Sequence, residues 1–439
     1  MSDLGIKYDK RCCRPKKPRD FVWFCRPFYG SYEIIYPSNR LKNNAKIYKI
    51  GINHIRVDIL YNRTVQKLQM FRSIIIDVVS PQTNVPEAER NLIELKSLIR
   101  TYGSIDVGHI IQHRTKPDKD TFIGSGKVQE LIEMVSNKKI DILILNDIVK
   151  PTQLFHLTEQ LWTANPDIKV WDRVDLILHI FEKHAQTTEA RLQIEIAKMH
   201  HMGPRIYGLG GTYFSRQGGG IGSKGVGETN IERMKRHWRT LIKKKEDELK
   251  KQLEHRKGQV DHRKELGVRH VALVGYTNAG KTALFNVLTG RNKISEDVLF
   301  ATLSSTVGRL KGTGQQSNLL VSDTIGFIQN LPPSLIQTFK STLLDVIHAD
   351  LILHIVDISD ELRDRKIDVV QEIVHEIGAG KIPQILVFTK SDLLPEERWG
   401  EFEEVKKKYA SFQTLFISSK EEINIKKLTD TISQAISKR

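Results

Sequence analysis

Cysteine is almost missing from this chain: there are three in 439 residues, Cys12, Cys13 and Cys25, all near the start. Three clustered thiols cannot staple a chain of this length, and no apolar signal-peptide core precedes them. A disulfide-built secreted fold is therefore excluded and a reducing compartment expected. A cysteine zinc site is disfavoured too, because no second CxxC or HxxxH pair accompanies Cys12 and Cys13. Long apolar runs are also lacking. None approaches the roughly 18 uncharged residues of a membrane span, which rules out bilayer insertion. What is present, 39% hydrophobic and 27% charged residues, is the make-up of a soluble globular chain with room for two or three domains at about 100 to 200 residues each.

Basic residues exceed acidic ones by 16, and the excess is local: +11 over residues 1–72 and +9 over 191–265, with balance over 266–439. A patchy positive field points to a polyanion, nucleic acid being the commonest. Residues 1–72 read as a basic leader or extension, with Lys7, Lys10, Arg11, Arg14, Lys16, Lys17 and Arg19 crowded without helical spacing. Residues 73–186 alternate strand-like runs (SIIIDVVS, IDVGHIIQ, IDILILND) with amphipathic helical ones, the pattern of a parallel α/β domain. Residues 187–266 carry apolar positions at Ile231, Met234, Trp238, Leu241, Leu249, Leu253 and Val260 on a Lys/Arg/Glu background, with Ala190, Ile194 and Ala197 as a facing stripe. That spacing predicts a two-helix, coiled-coil-like arm. Its two helices are joined by SRQGGGIGSKGVGET, residues 215–229, a mobile loop in which glycine backbone beside Arg205, Arg216 and Lys224 suits contact with phosphate or RNA.

Residues 267–439 carry the chemistry. An apolar strand leads into GYTNAGKT, Gly275 to Thr282, and an amphipathic helix follows. This is a phosphate-binding loop in its required setting: Gly275, Asn278, Ala279 and Gly280 carry main-chain N–H groups around a β-phosphate, Lys281 reaches the β and γ oxygens, and the Thr282 hydroxyl suits Mg²⁺. Asp323 closes another strand and can hold magnesium through water, while the Gly326 N–H can sense a γ-phosphate. Thr389, Lys390 and Asp392 follow a third strand, and the Asp392 carboxylate can accept from the two guanine donors that adenine lacks. Ser418, Ser419 and Lys420 follow a fourth, where main-chain N–H can face guanine O6. By contrast, GSGK at Gly124–Lys127 lacks the spaced first glycine and the hydroxyl, and is not a nucleotide site.

Together with FATL at 300–303, DTIGFIQNLP at 323–332, TFIGSGKVQEL, WDRVDLILHIF and EARLQIEIA, these motifs resemble the HflX (Obg-HflX-like) family of GTPases over roughly residues 85–425, in particular its mitochondrial branch. The resemblance implies an N-terminal parallel α/β domain, a helical arm with a glycine-rich loop and a C-terminal P-loop GTPase domain, overall an α/β protein. It implies GTP and GDP as ligands with Mg²⁺, and K⁺ beside Asn278. It makes Lys281, Thr302 and Gly326 the residues acting on GTP, with Thr302 as switch threonine ahead of Thr306 and as a magnesium ligand with Thr282 and Asp323. Phe327 stands where Ras-like proteins place a catalytic glutamine, so unaided hydrolysis is expected to be slow. Thr389 replaces an asparagine whose carboxamide normally ties its loop to the phosphate loop, so the departure bears on nucleotide affinity more than on base choice.

The implied partner is the large ribosomal subunit and its rRNA, contacted by Arg216, Gln217, Gly218, Gly219, Gly220 and Lys224, with ribosome dissociation, recycling or rescue as the outcome. An assembly GTPase for the large subunit and a noncatalytic RNA-binding scaffold are the alternatives. A monomer, and a mitochondrial location rather than a cytoplasmic one, complete the expectation.

Overall fold

The computed structural model describes residues 27–28, 31–33, 49–50, 70–217, 224–291, 300, 306–311, 318–329, 335 and 343–437; for 27–50 and 206–231 only the main chain is described. The chain divides into two units, Met1–Met70 and Phe71–Arg439. In the first, β1 (Pro27–Phe28), β2 (Ser31–Glu33) and β3 (Lys49–Ile50) make a small antiparallel sheet. The rest of the basic leader, with its three cysteines, lies outside the described residues.

The second unit opens with β4 (Phe71–Val79), α1 (Val85–Tyr102), β5 (Ser104–His113), α2 (Ser125–Lys138), β6 (Ile142–Leu145), α3 (Pro151–Leu161), β7 (Lys169–Asp172) and α4 (Arg173–His184). All pairings in the sheet β5-β4-β6-β7 are parallel. Alternation along β4 feeds two cores: Ile75 packs with Leu92, Leu95 and Ile99 of α1 and Ile177 of α4, while Ile74 and Ile76 pack with Leu131 of α2 and Leu157 of α3. Helix α1 starts where the Asn84 side chain accepts from the Glu87 N–H at 2.9 Å and stops at Gly103, which adopts φ 87°.

The arm is two long helices, α5 (Thr188–Gln217) and α6 (Lys224–Glu265). Two expectations need correction. The helices extend into the segment read as a loop, so that Arg216, Gln217 and Lys224 are helical and Gly218, Gly219 and Gly220 lie outside the described residues. Ala190, Ile194 and Ala197 do not form a stripe reserved for α6. They are buried in the core built by α1 and α4, because α5 lies on the N-terminal domain along its first turns. Helix α6 is left with buried Val260, half-buried Leu241, Leu249 and Leu253, exposed Met234, and polar fastenings: Trp238 Nε1 donates to Met199 O at 3.0 Å, and Lys245 pairs with Glu195 at 2.8 Å.

The third part contains β8 (Arg269–Gly275), α7 (Lys281–Thr289), β9 (Thr306–Arg309), β10 (Leu319–Asp323), α8 (Leu344–Ile347), β11 (Leu351–Asp357), α9 (Arg363–Glu376), β12 (Gln384–Thr389), α10 (Gly400–Lys408), β13 (Gln413–Phe416) and α11 (Ile425–Ser437). Its sheet runs β13-β12-β11-β8-β10-β9, parallel except for β9. The carboxyl ends of β8, β10, β11, β12 and β13 lie along one edge of this sheet, the edge at which open α/β folds bind ligands.

Candidate functional site

The phosphate loop runs from the end of β8 to the first turn of α7, with Gly280 as the N-cap. Gly275 is a glycine for a steric reason, since a Cβ there would lie 2.3 Å from the Ile355 carbonyl of the neighbouring strand. Asn278 stands exposed in the loop at φ 62°, a left-handed conformation that asparagine tolerates. Lys281 is buried, and its ammonium donates to Gly275 O at 3.1 Å and Tyr276 O at 2.6 Å, which curls the loop around it. Burial draws its pKa down from 10.5 to about 8, against the pull of the Asp323 carboxylate. The Thr282 hydroxyl donates to Asp323 Oδ2 at 3.1 Å, and Asp323 is fully buried.

Beyond Asp323 the chain lies against the phosphate loop. Thr277 N–H donates to Phe327 O at 2.8 Å, and Phe327 N–H donates to Gly275 O at 3.1 Å. Gly326 has no room for a side chain: a Cβ would meet Thr277 Cγ2 at 2.7 Å, Thr277 Cα at 2.9 Å and Lys281 Nζ at 3.0 Å. The Phe327 ring is buried among Ala272, Val274, Leu343 and Val370, so it faces the core of this domain. Ile325 and Ile328, on either side, are buried instead with α1 and α4 of the N-terminal domain, where Phe300 also packs edge-on against Phe181 at 4.6 Å between ring centroids.

The two loops expected to read the base lie side by side. Ser391 N–H donates to Ile417 O at 3.2 Å, joining the Thr389–Asp392 loop to the Ser418–Lys420 loop. Asp392 is half-buried, Ser418 is buried and shaped by a bond from Glu421 N–H to its Oγ at 3.1 Å, and Lys420 is exposed. The tie expected to be lost at Thr389 is present. The residue's buried hydroxyl donates to Ala279 O at 2.7 Å and Val356 O at 3.1 Å, so the shorter side chain makes the tie to the phosphate loop. Thr306 lies in β9 opposite Asp323, and Thr302 is outside the described residues.

Two buried hydroxyls, Thr277 Oγ1 in the phosphate loop and Ser419 Oγ in the last loop, have no hydrogen-bond partner among the described residues. Such groups suit the two ends of a polar, elongated ligand.

Sequence reasoning missed three features. Asp357, at the end of β11, pairs with Lys390 at 2.7 Å and fixes that lysine beside the site. Glu94 and Arg173, from α1 and α4, reach Tyr276 and Gln329. Arg205, read as a phosphate contact, instead binds Asp172 at 2.6 Å and Asp175 at 2.5 Å, with His201 beside them, and fastens α5 to α4. Burial and the adjacent Asp172 raise the Asp175 pKa to about 6. No motif signals such pairs, because each charge taken alone fits a solvated helix face.

Three family profiles match the chain: "GTP-binding GTPase N-terminal" over residues 89–182, "GTP-binding GTPase Middle Region" over 184–263 and "50S ribosome-binding GTPase" over 270–390. The chain is 39% identical over 368 residues to the GTPase HflX of Caldanaerobacter subterraneus, covering 84% of this chain and 81% of that one. It is 41% identical to the GTPase HflX of Alkalihalophilus pseudofirmus over 70% of this chain and 71% of the relative. To the Escherichia coli GTPase HflX it is 35% identical over 70% of each chain.

Proposed function

We propose, from the premise that this chain belongs to the HflX family of GTPases, that it binds the large ribosomal subunit and couples its GTP cycle to ribosome dissociation, recycling or rescue. The chain is a GTP-binding enzyme that hydrolyses GTP. The observation that carries the assignment of roles is the convergence of Lys281, Thr282, Asp323, Gly326, Asp392 and Ser418 at the carboxyl ends of adjacent strands.

In this reading the phosphate-loop N–H groups and the Lys281 ammonium hold the β- and γ-phosphates, the Gly326 N–H meets the γ-phosphate, and Asp392 with the Ser418–Lys420 main chain reads guanine. The residues present fit magnesium: a hydroxyl and a fully buried carboxylate, Thr282 and Asp323, stand 3.1 Å apart beside the phosphate loop, with Thr302 assigned as the third ligand. Bound there, magnesium would neutralise charge on the phosphate oxygens. With the Phe327 ring directed into the core, position 327 offers no side-chain amide to orient water, so turnover depends on main-chain groups, on K⁺ near Asn278 and on the ribosome.

The partner assignment is supported by the description of the profile over residues 270–390 and by the basic charge of residues 191–265. Arg216, Gln217, Lys224 and the glycines between them are assigned to rRNA. Phosphate contacts release counterions, so this binding should weaken steeply with salt. Sedimentation of purified ribosomes with the chain and GTP or a nonhydrolysable analogue tests the reading: large subunits carrying the chain should separate from small ones. Binding only to immature large subunits would favour an assembly role, and no ribosome binding would reject the proposal. The basic leader supports a mitochondrial location, tested by whether deleting residues 1–40 redistributes the chain in cells.

A further inference from the structure

The main chain of Gln329, three residues beyond Gly326, is held at both of its polar groups. Its N–H donates to Tyr276 Oη at 2.6 Å, and its carbonyl accepts from Arg173 Nη2 at 3.2 Å. Tyr276 belongs to the phosphate loop and its hydroxyl donates to Glu94 Oε2; Arg173 Nη2 also donates to Glu94 Oε1, while its Nη1 donates to Asn146 Oδ1 at 2.8 Å. Glu94 is thus a single carboxylate holding the two groups that grip Gln329. Tyr276 and Arg173 are buried, at 6% exposed and 6% for the arginine side chain, while Glu94, at 17%, Asn146 and Gln329 are half-buried.

A buried ion pair is weak evidence for stability, since an apolar cluster of the same volume would serve as well. What it supplies here is direction. Apolar packing by Ile325 and Ile328 could hold the segment against α1 and α4 but would not fix the rotation of its peptides. On the phosphate-loop side the Phe327 bonds to Gly275 and Thr277 do so, and on the side of the N-terminal domain the Gln329 bonds do, so the Gly326 peptides lie in a segment registered from both sides.

We propose that Glu94, Tyr276 and Arg173 are positioning residues for GTP hydrolysis: the N-terminal domain, through Glu94, sets the orientation of the Gly326 main chain against the phosphate loop. This rests on the reading of Gly326 as the group that meets the γ-phosphate. Glu94 lies on α1, outside the loops assigned to phosphate and base, so its effect should fall on the chemical step more than on binding.

The test uses the full chain without ribosomes and compares turnover, KM for GTP and GDP affinity in Glu94→Ala, Glu94→Gln, Tyr276→Phe and the Glu94→Ala/Tyr276→Phe double variant. Misplacement of a reacting group by a fraction of an ångström to an ångström slows chemistry strongly, so kcat should fall about 10- to 100-fold in Glu94→Ala and Tyr276→Phe. KM and GDP affinity should stay within about threefold of the parent. Glu94→Gln should fall between, because its amide oxygen still accepts from Tyr276 while the charge opposite Arg173 is gone. The double variant should be no worse than the poorer single one, since both break one network. Unchanged or raised kcat in the single variants, additive losses, or a parallel collapse of kcat, GDP affinity and thermal midpoint would overturn the proposal. Gly326→Ala separates the two ideas: full turnover there would reject the phosphate-sensing reading itself.

Discussion

Thr389 Oγ1 donates to the Ala279 carbonyl at 2.7 Å, joining the loop assigned to the base to the loop assigned to the phosphates. A hydroxyl attached directly at Cβ performs this because β12 brings Thr389 against the phosphate loop: the space beside Gly280 is bounded by the Thr389 side chain, with Oγ1 3.4 Å from where a Cβ of residue 280 would be. Thr389→Val keeps the shape and removes the donor. Loss of one neutral hydrogen bond is worth about 1 kcal/mol, so GDP affinity should fall about fivefold. A titration with fluorescent GDP that found parent-like affinity would show the tie to be dispensable.

The same loops should fix the choice of base. Asp392 can accept from both guanine donors, and Asp392→Asn exchanges an acceptor pair for an acceptor and a donor. Guanine nucleotides should bind more weakly to this variant and xanthine nucleotides should gain. Equal competition by ATP and GTP at the parent site would contradict the assignment of Asp392.

The spacing of strands, helices and the phosphate loop was legible in the sequence because each is a local pattern. Ile74 to Ile76 alternate between two cores, and Gly275 to Thr282 sit between a strand and a helix. The missed features join residues far apart in the chain. Glu94 and Tyr276 are separated by 182 positions, and nothing in α1 distinguishes Glu94 from a solvated glutamate until the third domain is placed on it. Arg205 was misread for a related reason: its partners Asp172 and Asp175 belong to the N-cap and first turn of α4, where acidic residues are expected without any arginine.

Lys281 supplies a pH signature with two opposite signs. Its pKa falls to about 8 in the fold from 10.5. Between these values the unfolded chain binds more protons than the folded one, so the protein without nucleotide should gain stability as pH rises through this window. Nucleotide binding needs the ammonium, so GDP affinity should instead fall by up to about tenfold per unit above pH 8. Lys281→Arg carries a charge that does not titrate and removes this component. If parent and variant had the same pH dependence of GDP affinity between pH 7 and 10, Lys281 would be fully charged across the range and the argument would fail.

Turnover should depend on the monovalent cation, for reasons that Asn278 and Phe327 supply together. The Phe327 ring is 2% exposed and surrounded by core side chains, so no rotation within that packing brings a polar group to the phosphates. Charge that develops in phosphoryl transfer must be stabilised from another direction, and a cation beside the β and γ oxygens acts there as an arginine finger does elsewhere. Asn278 is exposed on the phosphate loop and offers a carboxamide oxygen. Replacing Na⁺ with K⁺ at constant ionic strength should raise the parent's hydrolysis rate. Asn278→Gly removes the carboxamide but accommodates φ 62° without strain, so it should abolish the K⁺ response while GDP affinity is retained. A K⁺ response that survived in this variant would place the cation away from Asn278. Rates indifferent to the cation in the parent would leave stabilisation to the main chain and to groups brought by the ribosome.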